Sequence, residues 1–446
     1  MRKTASAVSV LMVFVLGAVS VFVPSASGAP RKVTLWSYSA NNVQEWNLRK
    51  ADIENRFKIA LNVVRMAEDV FVQELRMQMA GGSECPDLID WRIENNQVIH
   101  TNARESLVLP LDSYTRKSST FAGVALGQLS WVSRGDQVYG LPREAGAAVL
   151  VYNDSIWKSV GVDLATVETW DDFFLAAQKL AAEKKDGKPV HYALPTQGKG
   201  LSDTMFMIWQ QSGAPILDRA GAANFTNPGF KGFVEQWAKW TRTGSFISWD
   251  WGAFPALLRS GTLCSYVAPD WMVGQVDQAS NARQHQFKVR ALPLYRQGGP
   301  RTATWRGSFL ALVRTALHPD DLYPIMEYMQ YGENGMGARL RVSSVLPPLV
   351  RPSNSASFLQ PDPRFGGQNL RQLQMNLMSE VPSISCSDML WDAIEDFNSE
   401  YPQLESGRST VDQVLANAQA RASRRIRVIQ PLRPDNRKSI PTQPRR

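Results

Sequence analysis

The sequence predicts an α/β fold divided into two lobes. Strand-like runs alternate with amphipathic helical segments from residue 33 onward, which argues for βαβ units and a largely parallel sheet. One run, AAVLVYN (147–153), shows no polar alternation before Tyr152, as expected of a strand covered on both faces. The chain has 446 residues, long for a single core and sufficient for two.

The elements follow in order. VTLWSY (33–38) reads as the first strand and Val43 to Phe57 as the helix after it. LNVVRM (61–66) is a second strand. VFVQELRMQMAGG (70–82) has helical spacing at Phe71, Leu75 and Met79 and is closed by Gly81-Gly82. PDLIDW (86–91) is a third strand. After 147–153, TVETWDDFFLAAQKLAAE (166–183) carries a capping box at Thr169 and Asp172 and an apolar stripe from Trp170 to Leu180. In NPGFKGFVEQWAKW (227–240), Asn227 can cap and Pro228 suits the first helical position. LCSYVA (263–268), FKVRALPL (287–294) and SFLALV (308–313) read as strands, and 318–331 and 389–401 as helices. The loops near 295–304 and 343–367, rich in Pro, Gly and Ser, are candidate crossings between lobes.

The ends differ from the body. Arg2 and Lys3 precede an uncharged apolar run, Val8 to Val23, and then SASGA (25–29), the layout of a secretory signal peptide over 1–28 cleaved between Ala26 and Ala29. No Cys lies near that site, so a lipid anchor is not expected. The whole chain nets +8. Arg2 and Lys3 supply two of these charges and residues 421–446 a net eight, so the body carries −2. A nucleic-acid partner therefore does not follow from the basic balance, and 421–446 is expected to be a solvated, disordered tail. Cys85, Cys264 and Cys386 leave any disulfide open, and four scattered His give no metal-site spacing.

Ligands of open α/β sheets bind beyond the carboxyl ends of the strands. Near those ends lie Tyr38 and Asn41; Asp90, Trp91 and Arg92; and Asp270 and Trp271. Trp305 and Arg306 precede the strand at 308, and Glu144 precedes the one at 147. Aromatic residues beside acids, amides and guanidinium groups suit a sugar: the ring covers its C–H face, and the polar groups bond its hydroxyls. Trp209 is a further candidate, though its context TMFMIWQQSG also suits a helix core; Trp36, inside a strand, reads as core. GxSxG, HExxH, GxxxxGK[ST] and GxGxxG are all missing, so no cofactor is expected. The enzymatic rival is a secreted glycoside hydrolase, which would need two facing carboxyls, with Glu144, Asp90 and Asp270 as candidates.

The ordered series VTLWSY, MAGGSECPDLIDW, LVLPLDSY, DQVYGLPREAGAAVLVYNDSIWKSVGVD, TVETWDDFFLAAQKLA, ALLRSGTLCSYVAPDW and ALPLY…WRGSFLALV resembles the extracellular solute-binding proteins of family 1 over roughly residues 31–350. These are the sugar receptors of ABC importers, of the maltose-binding type. The family usually has Gly-Gly where this chain has Trp305-Arg306-Gly307. The resemblance implies a type II periplasmic binding fold with a hinge. Lobe one would comprise 31–142 plus 294–344, and lobe two 146–290 plus 346–420. It also implies a non-catalytic, monomeric, periplasmic receptor that closes on a small carbohydrate and docks on permease subunits. A same-fold receptor for a non-sugar solute is the third reading. The resemblance puts a cleft acid at Glu144, cleft aromatics near Trp91 and Trp271, and first-strand ligands near Tyr38 and Asn41.

Overall fold

The computed structural model describes residues 29–81, 85–95, 99–102, 105–279, 287–305, 307–343, 345–349, 360–384 and 389–429. The expected signal peptide, Arg306, Cys386 and residues 430–446 lie outside these. The chain begins β1 (Arg31–Ser37), α1 (Ala40–Phe57), β2 (Ile59–Arg65), α2 (Phe71–Gly81), β3 (Leu88–Arg92). It continues through β4 (Leu141–Pro142), β5 (Val149–Asn153), α3 (Trp170–Ala182), β6 (Leu194–Thr196), α4 (Asp203–Ser212), α5 (Pro228–Thr241) and β7 (Phe246–Ser248). The last main elements are β8 (Ser265–Ala268), β9 (Phe287–Arg290), β10 (Ser308–Leu312), α6 (Pro319–Tyr331), α7 (Glu333–Ser343), α8 (Leu390–Glu405) and α9 (Val411–Ile429).

Local chemistry accounts for the helix ends. Thr169 and Asp172 form the reciprocal capping box that starts α3. Asn227 caps α5 and Pro228 is its first residue, where a missing N–H costs nothing. Ser39 caps α1 by accepting from the Asn42 amide.

Two sheets organise the molecule. The first has the order β2-β1-β3-β10-β4; β1 runs parallel to β2 and β3, while β10 is antiparallel to β3 and β4. The second has the order β8-β5-β9, and both neighbours of β5 are antiparallel to it. The expected parallel sheet is therefore correct for β1 to β3 and not for β5. All five β5 residues are buried, as the apolar run required. Apolarity reports coverage of both faces and is silent on strand direction.

Alternation along the first sheet divides its residues between two cores. Val33, Leu35 and Leu88 pack with Trp46 and Ile53 of α1 and Met326 and Met329 of α6. Trp36, Ile89 and Trp91 face the larger core shared with β5. The chain leaves the first sheet for the second through 143–148, returns through 291–307, and departs from α7 through 345–349. The basic end does not begin as a free tail. Val414, Leu415, Ala418 and Ala422 of α9 are buried, and Arg425 donates to Asp392 and Asp396 of α8 at 2.7 and 2.8 Å. An i, i+3/i+4 apolar stripe thus runs beneath the charges that dominate this segment's composition.

Candidate ligand-binding cleft

The first crossing is held rigidly. Its buried carbonyls each need a donor. Gln330 donates to the Leu141 carbonyl and the Tyr331 hydroxyl to that of Pro142, both at 3.1 Å. Arg339 serves Arg143 at 2.6 Å and Gln128 serves Ala145 at 2.9 Å. At Gly146, φ is +65° and a Cβ would lie 2.2 Å from Thr304 Oγ1, so glycine lets the outgoing and returning crossings touch.

Arg143 turns into an ionic cluster and donates to Glu45, which also faces Arg339 at 3.5 Å. Glu144 turns the other way. Its Oε2 accepts from the Ser308 amide at 2.7 Å and its Oε1 from the Ser308 hydroxyl at 2.8 Å. Burial pushes its carboxyl above the usual range, with Arg143 opposing.

Glu144 lines a cavity of about 330 Å³, together with Tyr38, Asn41, Arg92, Gln197, Trp251, Trp271 and Trp305. Burial, then the charges of Glu144 and Asp90, keeps the Tyr38 hydroxyl protonated, and the Arg92 guanidinium sits 5.7 Å from the Tyr38 ring centroid. Three indoles form one wall. Trp271 lies 5.5 Å from Trp305, and Trp251 stacks over Trp305 at 6.5 Å and 9°. Trp271 Nε1 donates to the Trp305 carbonyl at 3.1 Å, which fixes its ring. Trp305 is 3% exposed and backs the wall, whereas Trp251 is 50% exposed and offers a ring face.

Five of the residues singled out from sequence therefore meet here: Tyr38, Asn41, Glu144, Trp271 and Trp305. Four others lie behind the wall. Asp90, 1% exposed, accepts from Ser37 Oγ and Asn42 Nδ2, both at 2.7 Å. Trp91, next along β3, points to the opposite face and packs on Phe309 in the core. Trp209 is buried in α4 and donates to the Ala214 carbonyl at 2.7 Å. Asp270 is a clamp between crossings: its Oδ2 accepts from the Gly146 and Leu346 amides, each at 3.3 Å, and its Oδ1 from the Trp271 amide at 2.9 Å. Burial, then the Glu144 charge, pushes Asp270 up to about 7. Arg92, which the sequence places after Asp90 and Trp91 at a strand end, lines the cavity as well, whereas sequence reasoning missed Trp251 and Gln197. For Trp251 a signal existed in the aromatic density of SWDWGAF (248–254).

Among the described residues, no group of three or more His, Cys, Asp or Glu could hold a metal ion. No described helix is long and apolar enough to cross a membrane. Among the described residues lining this cavity, Glu144 is the sole carboxylate.

A model of the bacterial extracellular solute-binding proteins matches residues 49–348. The chain is 22% identical over 341 residues to an arabinooligosaccharide-binding protein of Bacillus subtilis (strain 168), covering 73% of this chain and 75% of that one. It is 23% identical over 385 residues to a lactose-binding protein of Rhizobium radiobacter, covering 82% and 85%. In structure it is similar to the sugar-binding protein MalE from Xanthomonas citri, with a TM-score of 0.72 at 16% identity over 90% of this chain and 99% of that one. The chain belongs to the bacterial extracellular solute-binding protein family and has its two-lobed fold.

Proposed function

We propose that this extracellular solute-binding protein is a receptor that captures a carbohydrate between its lobes and delivers it to the permease subunits of an ABC importer. The observation that carries this reading is the cavity itself. An exposed indole, Trp251, and a half-buried one, Trp271, face a carboxyl, an amide and a guanidinium. Ring faces cover sugar C–H surfaces, Glu144 and Asn41 accept from hydroxyls, and Asn41 and Arg92 donate to them. The names of the relatives agree with a saccharide ligand.

The protein acts by binding. The family and the relatives that this chain matches are binding proteins, which supports that reading over a secreted glycoside hydrolase. The lobes are 31–142 plus 294–344 and 146–290 plus 346–420, with the Asp270 clamp at their junction. The N-terminal 28 residues direct export to the periplasm, and the receptor works as a monomer. Tryptophan fluorescence during titration with a glycan panel tests the reading, alongside mass spectrometry of whatever co-purifies. A saccharide-dependent change that Trp271→Ala abolishes is expected. A co-purifying polyamine, anion or peptide, with no response to any glycan, would sink the carbohydrate assignment.

A further inference from the structure

Four described residues other than glycine adopt positive φ: Lys58, Asp186, Asp203 and His318. Lys58 ends α1, Asp186 lies in a tight hairpin turn and His318 precedes α6, and all three are exposed. Asp203 is different. It opens α4 at φ +32° and is only 3% exposed. A buried L-residue in this strained region persists only where its surroundings hold it there.

The side chain shows what holds it. Asp203 Oδ2 accepts from the Gln197 amide at 2.9 Å and from Trp249 Nε1 at 2.7 Å. Strands β6 and β7 are parallel neighbours whose last residues, Thr196 and Ser248, pair in register. Gln197 and Trp249 are the residues that follow each strand. One carboxyl oxygen thus ties two strand ends together at the point where both leave the sheet.

Beyond the tie, both segments enter the wall of the cleft cavity. Gln197 and Trp251 line it, as does Trp305. Trp249, 6% exposed, sits behind the indole wall: its ring lies 4.9 Å from Trp251 at 80° and 6.5 Å from Trp305 at 72°. Edge-to-face contacts of this kind favour one tilt of the partner rings. Asp203 itself is not among the described residues that line the cavity.

We propose that Asp203 is a positioning residue for ligand binding, whose carboxyl fixes Gln197 directly and Trp251 and Trp305 through the Trp249 indole. This rests on the reading of the cavity as the carbohydrate site. The strained backbone at Asp203 brings its carboxyl to both strand ends at once, so the wall is set before any ligand arrives.

Variants of the full chain test it, by calorimetric titration with a panel of neutral mono-, di- and trisaccharides and by near-ultraviolet circular dichroism without ligand. Asp203→Gly relieves the backbone and removes the acceptor. Its affinity should fall about tenfold and its indole dichroism should change. Its unfolding midpoint should stay within about 2 °C of wild type. Asp203→Asn keeps an acceptor oxygen and should bind within about threefold of wild type. Should Asp203→Gly not fold, Trp249→Phe decides, since it keeps a ring, loses the donor and should weaken binding by about threefold or more. Wild-type affinity in Asp203→Gly or in Trp249→Phe overturns the proposal, as does a loss in Asp203→Asn as large as that in Asp203→Gly. If the wild-type protein binds no member of the panel, the carbohydrate reading falls instead, and the ligand-free dichroism judges the tie: an unchanged indole signal in Asp203→Gly overturns it.

Discussion

Arg143 and Glu144 are neighbours in the chain, yet the fold sends them into regions of opposite character. Behind the crossing, Arg143 joins Glu45 and Arg339, all at most 1% exposed, and its ring neighbour Trp46 lies 5.0 Å away. Burial pushes the Glu45 carboxyl up, but Arg143 and Arg339 outweigh it and hold it below its usual range. In front of the crossing, Glu144 accepts, among the described residues, from the neutral Ser308 amide and hydroxyl, and its carboxyl is raised instead. A buried charge matched by opposite charges is structural. A buried carboxyl held by neutral donors at the edge of an aromatic-lined cavity retains capacity for a ligand's hydroxyls.

The largest way to break the contrast is Glu45→Ala. It leaves Arg143 and Arg339 buried without their counter-charge and should cost about 3–5 kcal/mol in denaturant unfolding. Folded protein should still bind ligand, because no member of that cluster lines the cavity.

Asp270 comes next, as the group that joins the two regions. Its folded value of about 7 lies above the ordinary 3.8, so the folded protein holds this proton more tightly than the unfolded chain. Its contribution to stability is full below about pH 4 and is lost as pH rises through about 7. Asp270→Asn keeps an acceptor for the crossing amides but cannot ionise. Over that window its unfolding free energy should decline less than that of wild type, by up to about 4 kcal/mol at about 1.4 kcal/mol per pKa unit. Parallel pH curves for the two proteins would remove Asp270 from the account.

Trp271→Ala should weaken carbohydrate binding at least tenfold, read by calorimetry. Trp209→Phe is the smallest expected effect. It removes one donor from the Ala214 carbonyl, costs about 1–3 kcal/mol in stability, and leaves affinity unchanged. A large loss of affinity there would mean that the cleft reaches Trp209.

Much of this was legible in the sequence because local rules decide it. The caps at Thr169 and Asn227, the covered strand at 149–153 and the βαβ start all follow from spacing and residue type. Direction and orientation were not legible. Nothing in VLVYN says that its partners run antiparallel, since that depends on contacts more than a hundred residues away. A strand end also gives a position without a facing. Asp90 lies opposite Ser37 in register and turns to it and Asn42, while Trp91 turns into the core. Trp251 escaped notice because it sits in a polar turn, where periodicity carries no information.

Glu144→Gln tests the division of the two regions most directly, with affinity for the responding saccharide and the unfolding midpoint measured on the same preparation. If Glu144 belongs to the cleft, affinity falls about tenfold and the midpoint holds within about 1 °C, roughly 1 kcal/mol for a chain of this size. An unchanged affinity with a lowered midpoint would place Glu144 with Arg143 in the framework of the hinge and contradict the account.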